Sequence, residues 1–370
     1  MPIFHLGELF CGPGGLGWGA ANAAVPGRPD LGIVHAWAND FDAPTCETYR
    51  RNLAPDDPDS VICEDVHKLD IEHDPRIQAH PFDAFAFGFP CNDFSQVGEQ
   101  KGFDGIYGPL YTYGIRVLRH YQPRWFLAEN VSGLSSANQG KAFKKILADM
   151  QAAGYRIYPH LYKFEEYGIP QARHRIIIIG IRADERGADG EPLAFCPPAP
   201  TTPQPEQYKT CREAIEVPPV TAELANTEMP KMTKRVQERL AYIGPGENAF
   251  NAPKLNEHPE LQLKVKGAKI SQIYRRLDPT KPSYTVTGSG GGGTHIYHWS
   301  EPRALMNRER ARLQTFPDDF VFQGPKESVR RQIGMAVPCE GAQQIFAAVL
   351  KTFGGVPYAH VDCNIDLNKL

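Results

Sequence analysis

The sequence predicts an α/β fold: a mostly parallel sheet with helices on both faces, joined to a smaller, irregular second domain. Three observations predict it. Short apolar runs alternate with helix-like stretches through the first 182 residues, which implies parallel strands linked by crossover helices. The character changes at the Pro-rich stretch Ala194–Gln207, and Gly and Pro then punctuate the chain to about Phe322. An apolar helical pattern returns at Cys339–Phe353, where Ile345, Phe346, Val349, Leu350 and Phe353 share one face.

The strands expected, in order, are Ile3–Phe10, Ile33–Asn39, Phe82–Gly88, Arg124–Glu129, Tyr155–Tyr162 and His174–Ile181. Between them, Gly108–Tyr121 and Lys141–Ala153 carry helical periodicity. The last two strands are joined tightly, as an antiparallel edge would be. The division this implies is residues 1–182 with 294–370 as the larger domain, and 183–293 as the smaller.

At 370 residues, 41% hydrophobic and 22% charged, the composition is that of a globular protein. The longest strongly apolar run, Ile176–Ile179, is far too short to span a bilayer. With no signal-peptide pattern at the start, the expected location is the cytoplasm, with no membrane partner. The eight cysteines include no CxxC pair, so neither a disulfide framework nor a metal site is expected. The net charge of −3 hides an uneven distribution. Asp40–Asp83 has 4 basic and 12 acidic residues, a net of −8, whereas Lys231–Lys281 has 11 basic and 5 acidic, a net of +6. A basic lobe of that kind suits a polyanion, though two solvated surfaces of opposite bias explain it equally well.

Four motifs carry the chemistry. Glu8-Leu9-Phe10-Cys11-Gly12-Pro13-Gly14-Gly15-Leu16-Gly17 follows a strand and opens a helix, and its glycines allow a tight turn and close approach to a ligand. Asp40 lies near the distance expected of a ribose-binding acid, so an adenosine-containing ligand fits. A nicotinamide-dependent dehydrogenase satisfies this pattern as well. Phe89-Pro90-Cys91-Asn92 sits where a strand ends, a ligand edge in such sheets, with a glycine-spaced stretch behind it that suits a lid. Glu129-Asn130-Val131 places a carboxyl at another strand end, where it serves as an acid or caps a helix. In Gln171-Ala172-Arg173-His174-Arg175, an alternating strand points Arg173 and Arg175 to one face.

Taken in order, these motifs resemble those of the cytosine-C5 DNA methyltransferases. The tail agrees: Arg303 through Pro317 is similar to the family's late helix, and Gly334-Met335-Ala336-Val337-Pro338 to its last cofactor motif. The resemblance runs from Glu8 to about Phe353, apart from the insert, and leaves the dehydrogenase reading with three motifs that have no role. It implies a Rossmann-like S-adenosylmethionine-dependent methyltransferase sheet plus a small, mostly β target-recognition domain. By the same resemblance, Cys91 adds to C6 of a flipped-out cytosine, a protonated Glu129 hydrogen-bonds N3, and Arg175 meets O2, supported by Arg173 and Gln171. Phe10, Gly12, Gly14, Asp40, Phe41, Asp65, Val66, Pro90, Leu110 and Met335 are the implied cofactor contacts.

Ser95, Gln96, Lys101, Gln171, Lys234, Arg235, Arg275 and Arg276 are the expected contacts to double-stranded DNA, joined by Lys231, Lys264, Lys266 and Lys269 on charge. Asn92 and Met335 depart from the family's usual Gln and Asn, and Met335 admits an altered donor preference. A tRNA methyltransferase shares the same catalytic motifs. The expected partners are a duplex in the nucleoid and a restriction endonuclease, with the enzyme itself monomeric.

Overall fold

A computed structural model describes residues 3–89, 110–131, 133, 140–263, 270–291 and 293–367. Along the chain run β1 (Ile3–Leu9), α1 (Gly15–Ala21), β2 (Gly32–Asp40), α2 (Ala43–Leu53), β3 (Val61–Cys63), α3 (Pro75–Gln78), β4 (Ala84–Gly88), α4 (Tyr111–Tyr121), β5 (Trp125–Val131) and α5 (Lys141–Ala152). There follow β6 (Tyr155–Lys163), β7 (Gln171–Ala172), β8 (His174–Arg182), α6 (Cys211–Glu216), α7 (Lys234–Ala241), α8 (Pro253–Asn256), β9 (Ser283–Tyr284), α9 (Asn307–Leu313), α10 (Lys326–Met335) and α11 (Cys339–Gly354).

The chain divides into two compact units. The first comprises residues up to Lys163, His174–Pro200 and Cys339–Leu370. Its seven-stranded sheet has the order β3-β2-β1-β4-β5-β8-β6. The strands from β3 to β5 are parallel, while β8 runs antiparallel to both β5 and β6. The six expected strands are all present. The seventh, β3, is only three residues long, too short for alternation to reveal.

Burial explains the sheet. Ala84, Phe85, Ala86 and Phe87 of β4, and Trp125, Phe126 and Leu127 of β5, are all fully buried, as central parallel strands covered on both faces must be. On β1 the alternation is sharper, with Phe4 and Leu6 buried and Ile3 and His5 exposed. Close approach fixes two glycines. A Cβ on Gly180 would lie 2.0 Å from the Phe126 ring, and one on Gly114 would lie 2.4 Å from the Phe87 ring. Helix α11 buries Ile345, Phe346, Val349 and Leu350 and packs on α1, where Gly19 sits against Ala342. Helix α2 starts at Asp42, whose carboxylate accepts from the Thr45 amide and hydroxyl.

The second unit comprises Phe164–Arg173 and Thr201–Pro338. Its boundaries differ from the expected 183–293, for residues 294–338 fold with it. The expectation of a mostly β domain is also corrected. Among its described residues the only sheet is the two-stranded β7-β9, and the rest is short helices and irregular chain. Its core gathers Leu240, Ile243, Leu255, Leu261, Tyr274 and Tyr297 from helix ends and loops rather than from alternating strands. Buried arginines then satisfy the backbone. Arg276 donates to the carbonyls of His298, Leu240, Ile243 and Glu301, and Arg308 to those of Ala225, Pro317 and Phe320.

Candidate active site

Parallel strands of this order bring the ends of β1, β2, β3, β4 and β5 to one edge of the sheet, and antiparallel β8 begins at that same edge. Strand order reverses between β1 and β4, the position where sheets of this class open a crevice for ligands.

At the end of β1 the backbone turns through Phe10 (φ 56°), Gly12 (φ 56°) and Gly14 (φ 101°) before α1 begins. A side chain on Gly14 would strike Leu53 at 2.3 Å, and one on Gly17 would meet Glu8 Oε1 and the Tyr49 hydroxyl at 2.6 Å, so these glycines are required by packing as well as by the turn. Apart from its chain neighbours, no atom of the described residues lies within 4 Å of where a Gly12 Cβ would be, leaving that face of the turn open among them. Asp40, at the end of β2, ties the turn down: its carboxylate accepts from Gly12 N at 3.1 Å and from Asp42 N at 3.0 Å. Burial raises the Asp40 pKa above the usual carboxylate value. Phe41 beside it is 75% exposed, a bare ring at the sheet edge. After β3, Asp65 is exposed and accepts from His67, which holds its carboxyl below the usual range, while Val66 is buried. Leu110 is buried against the same core as Val66 and Phe89.

Beneath the turn lies a group that motif reading left unassigned. Glu8 is buried, its carboxyl pushed up to about 7 by desolvation. The Tyr49 hydroxyl donates to Glu8 Oε1, and His35 Nδ1 lies 3.2 Å from that hydroxyl. Only the acidic residue inside the glycine motif hints at this in the sequence; Tyr49 and His35 come from α2 and β2.

At the end of β5, Glu129 pairs in register with Gly88 on one side and Ile177 on the other. Arg175 Nε lies 2.8 Å from Glu129 Oε1, and each side chain is 13% exposed. Asn130 is buried and donates to the Phe89 carbonyl at 3.1 Å, holding the β4 end just ahead of Pro90 and Cys91. Cys91, Pro90, Asn92, Ser95, Gln96 and Lys101, with Lys264, Lys266 and Lys269, lie outside the described residues.

Other expected site residues are placed differently. Arg173 does not share a continuous strand with Arg175, because the chain passes from the second unit to the first between β7 and β8. It is buried and donates to the carbonyls of Val286 and Gly334, so it organises its own unit. Gln171 is fully buried; its amide donates to Leu313 O and Gln314 Oε1 and accepts from Val286 N. Arg276 is 4% exposed and spent on four carbonyls, and that burial pulls its pKa down to about 10. Gln171 and Arg276 therefore present nothing to a duplex at the surface. Net charge could not reveal this, since a buried arginine counts the same as an exposed one. Lys231, Lys234 and Arg235 are exposed, Arg275 is half-buried over the Tyr284 ring, and Met335 ends α10 at 60% exposure.

The family model for the C-5 cytosine-specific DNA methylases matches residues 4–351. The chain belongs to that family. It is 55% identical over 374 residues to the Type II methyltransferase M.BbvI of Brevibacillus brevis, covering 99% of this chain and 96% of that one. To the Type II methyltransferase M.NgoFVII of Neisseria gonorrhoeae it is 40% identical over 351 residues, covering 94% and 86%. Among solved structures, a prophage-encoded E. coli protein described as a DNA modification methyltransferase superposes with a TM-score of 0.67 at 23% identity, covering 95% of this chain and 99% of that chain. The S. pombe Dnmt2 methyltransferase does so at 0.56 and 16%, covering 94% and 98%. These two likenesses show the fold, a Rossmann-like α/β methyltransferase sheet. As a cytosine-C5 DNA methylase the chain is an enzyme whose methyl donor is S-adenosylmethionine.

Proposed function

We propose that this methylase modifies one cytosine within a specific double-stranded DNA sequence, through a covalent bond between Cys91 and C6 of a base flipped out of the duplex. The single observation that carries the reading is the Glu129–Arg175 pair, held 2.8 Å apart at the strand edge, with Glu129 in register with Gly88 at the end of β4. C5 of cytosine is a poor nucleophile, so the ring must first be activated by addition at C6. Glu129, carrying a proton taken up as the base enters, hydrogen-bonds N3 as electron density builds there. When that proton passes to N3, the carboxylate left behind already has its counter-ion in Arg175. Arg175 Nη1 donates to the His174 carbonyl, and Nη2 is the donor assigned to O2. Once C5 has gained its methyl group, loss of the C5 proton to a base, departure of Cys91 from C6 and return of the N3 proton to Glu129 restore the aromatic ring.

S-adenosylmethionine supplies an electrophilic methyl group, and the residues of the sheet edge fit it. The open face at Gly12 admits a ligand against the backbone, and the exposed Phe41 ring suits an adenine. Each Asp40 oxygen retains a lone pair for the ribose hydroxyls. Asp65 meets the exocyclic amine, with Val66 and Leu110 forming walls and Met335 the last contact. The second unit, with Lys231, Lys234, Arg235 and Arg275, reads the target. As a modification enzyme it works as a monomer on the nucleoid alongside a restriction endonuclease of the same specificity. Duplex DNA is favoured over tRNA by the size of this unit, which gives base-edge readout a platform.

Trapping tests the reading. Duplex DNA with 5-fluorocytosine at the target, incubated with enzyme and S-adenosylmethionine, should give an adduct stable to denaturation; Cys91→Ala should give none. An adduct that persists in Cys91→Ala would assign the nucleophile elsewhere.

A further inference from the structure

Arg310, in α9, is 1% exposed, and neither of its Nη groups has a hydrogen-bond partner among the described residues. A desolvated guanidinium without an acceptor is unfavourable, and native proteins seldom keep one without a use. The nearest carboxylate in sequence does not relieve it. Glu309 is committed to Arg303 at 2.7 and 2.8 Å and to the Met306 amide. Arg330 bears on Arg310 as a like charge, opposed by Tyr284, by Glu309 and by Tyr297.

Arg330 itself is half-buried on α10, with Nε 3.3 Å from the Gly288 carbonyl. The backbone of Gly290 lies flat against it. A Cβ on Gly290 would be 2.6 Å from the Arg330 guanidinium and 2.8 Å from the His295 ring. Glycine here therefore lets the segment pack directly against the Arg330 guanidinium. His295 is held neutral, its pKa pushed down to about 4 by burial and by the two arginines. Glu327, exposed at the start of α10, bears on His295, and Glu309 bears on Arg310. The result is two arginines, one of them buried, beside a stretch of backbone with almost no side chains.

We propose that Arg330, backed by the buried charge of Arg310, seats one phosphate of the DNA backbone against the Gly288–Gly290 segment. Arg330 is the direct donor, through a planar fork that matches phosphate oxygens. Arg310 is enclosed and acts through its field, which low surrounding polarity transmits strongly. A phosphodiester fits better than a carboxylate side chain, since the bare segment accepts the bulk of a tetrahedral group. The assignment rests on the duplex-DNA reading above.

The test measures DNA affinity of the full chain between 50 and 200 mM salt by fluorescence anisotropy, with S-adenosylhomocysteine binding as the check on folding. Arg330→Gln should flatten the plot of log affinity against log salt by about one unit, as loss of one phosphate contact does. Arg310→Met should weaken DNA binding by roughly tenfold while the melting temperature without DNA stays level or rises, because an uncompensated buried charge has been removed. An Arg330→Gln slope equal to that of the wild type would overturn the proposal. So would an Arg310→Met protein that melts lower yet binds DNA normally, the behaviour of a purely structural cation. Stabilisation of the wild type by inorganic phosphate, abolished in Arg310→Met without any change in the DNA slope, would assign the site to free phosphate and overturn the DNA assignment. If the wild type binds no duplex at all, the duplex reading itself fails, an outcome independent of either arginine.

Discussion

Arg175→Met isolates what the ion pair at the strand edge contributes. Arg175 Nε and Glu129 Oε1 are 2.8 Å apart, and both side chains are 13% exposed. Losing one partner of a fully buried pair costs about 3–5 kcal/mol, and a pair open to some solvent loses less, about 2–3 kcal/mol. If that energy is needed when Glu129 gives up its proton, kcat/KM falls by roughly 30- to 150-fold. The thermal midpoint should move far less, because methionine fills the same volume and the Val131–Arg175 ladder position is a backbone contact. The assay is transfer of labelled methyl to duplex DNA under kcat/KM conditions, run as a cycle with Glu129→Gln and the double variant. The pair predicts a coupling of about 1 kcal/mol or more between the two positions. Strict additivity, or an Arg175→Met rate within threefold of wild type, would refute the reasoning.

Further outcomes follow from single groups. Glu8 has a folded pKa of about 7 against an ordinary 4.5, so the folded state binds the extra proton between those values. Its contribution is fully present below about pH 4.5 and is lost as pH rises through 7. Glu8→Gln should therefore gain stability over wild type progressively across that window, approaching about 3 kcal/mol above it; a constant difference in denaturant midpoints from pH 5 to 8 would contradict this. Gly334→Ala places a Cβ 2.0 Å from Gly288 N, a backbone atom that cannot give way, and should cost about 3 kcal/mol or more in thermal unfolding. Asp40→Ala frees the Gly12 and Asp42 amides and should weaken S-adenosylhomocysteine at least about tenfold by calorimetry, with secondary structure by circular dichroism unchanged.

The catalytic half of the molecule is legible in the sequence because its signals are local. Gly12, Gly14 and Gly17 announce a turn, and the runs at Ala84–Gly88 and Trp125–Glu129 are apolar throughout because both faces are covered. Glu129 and Arg175 are 46 positions apart, yet motif order joins them, and the antiparallel β5–β8 pairing supplies the geometry. What stayed hidden depends on three-dimensional company. Gln171, Arg173 and Arg276 are polar residues in a basic or motif-bearing stretch, and only packing shows that their hydrogen bonds are spent inside the second unit. That unit has little periodic patterning because buried side chains satisfy its backbone in place of strands, so the expected β architecture had no physical basis. In the sequence Arg310 is one more charge in a helix motif; only packing shows that its Nη groups have no hydrogen-bond partner among the described residues.

Bisulfite sequencing of DNA from cells expressing the chain tests the central claim most directly. Specific C5 methylation predicts protection of a single cytosine within one short recurring sequence, at nearly every occurrence, and its complete loss with Cys91→Ala. Protection scattered without a common sequence, or retained in Cys91→Ala, would contradict it.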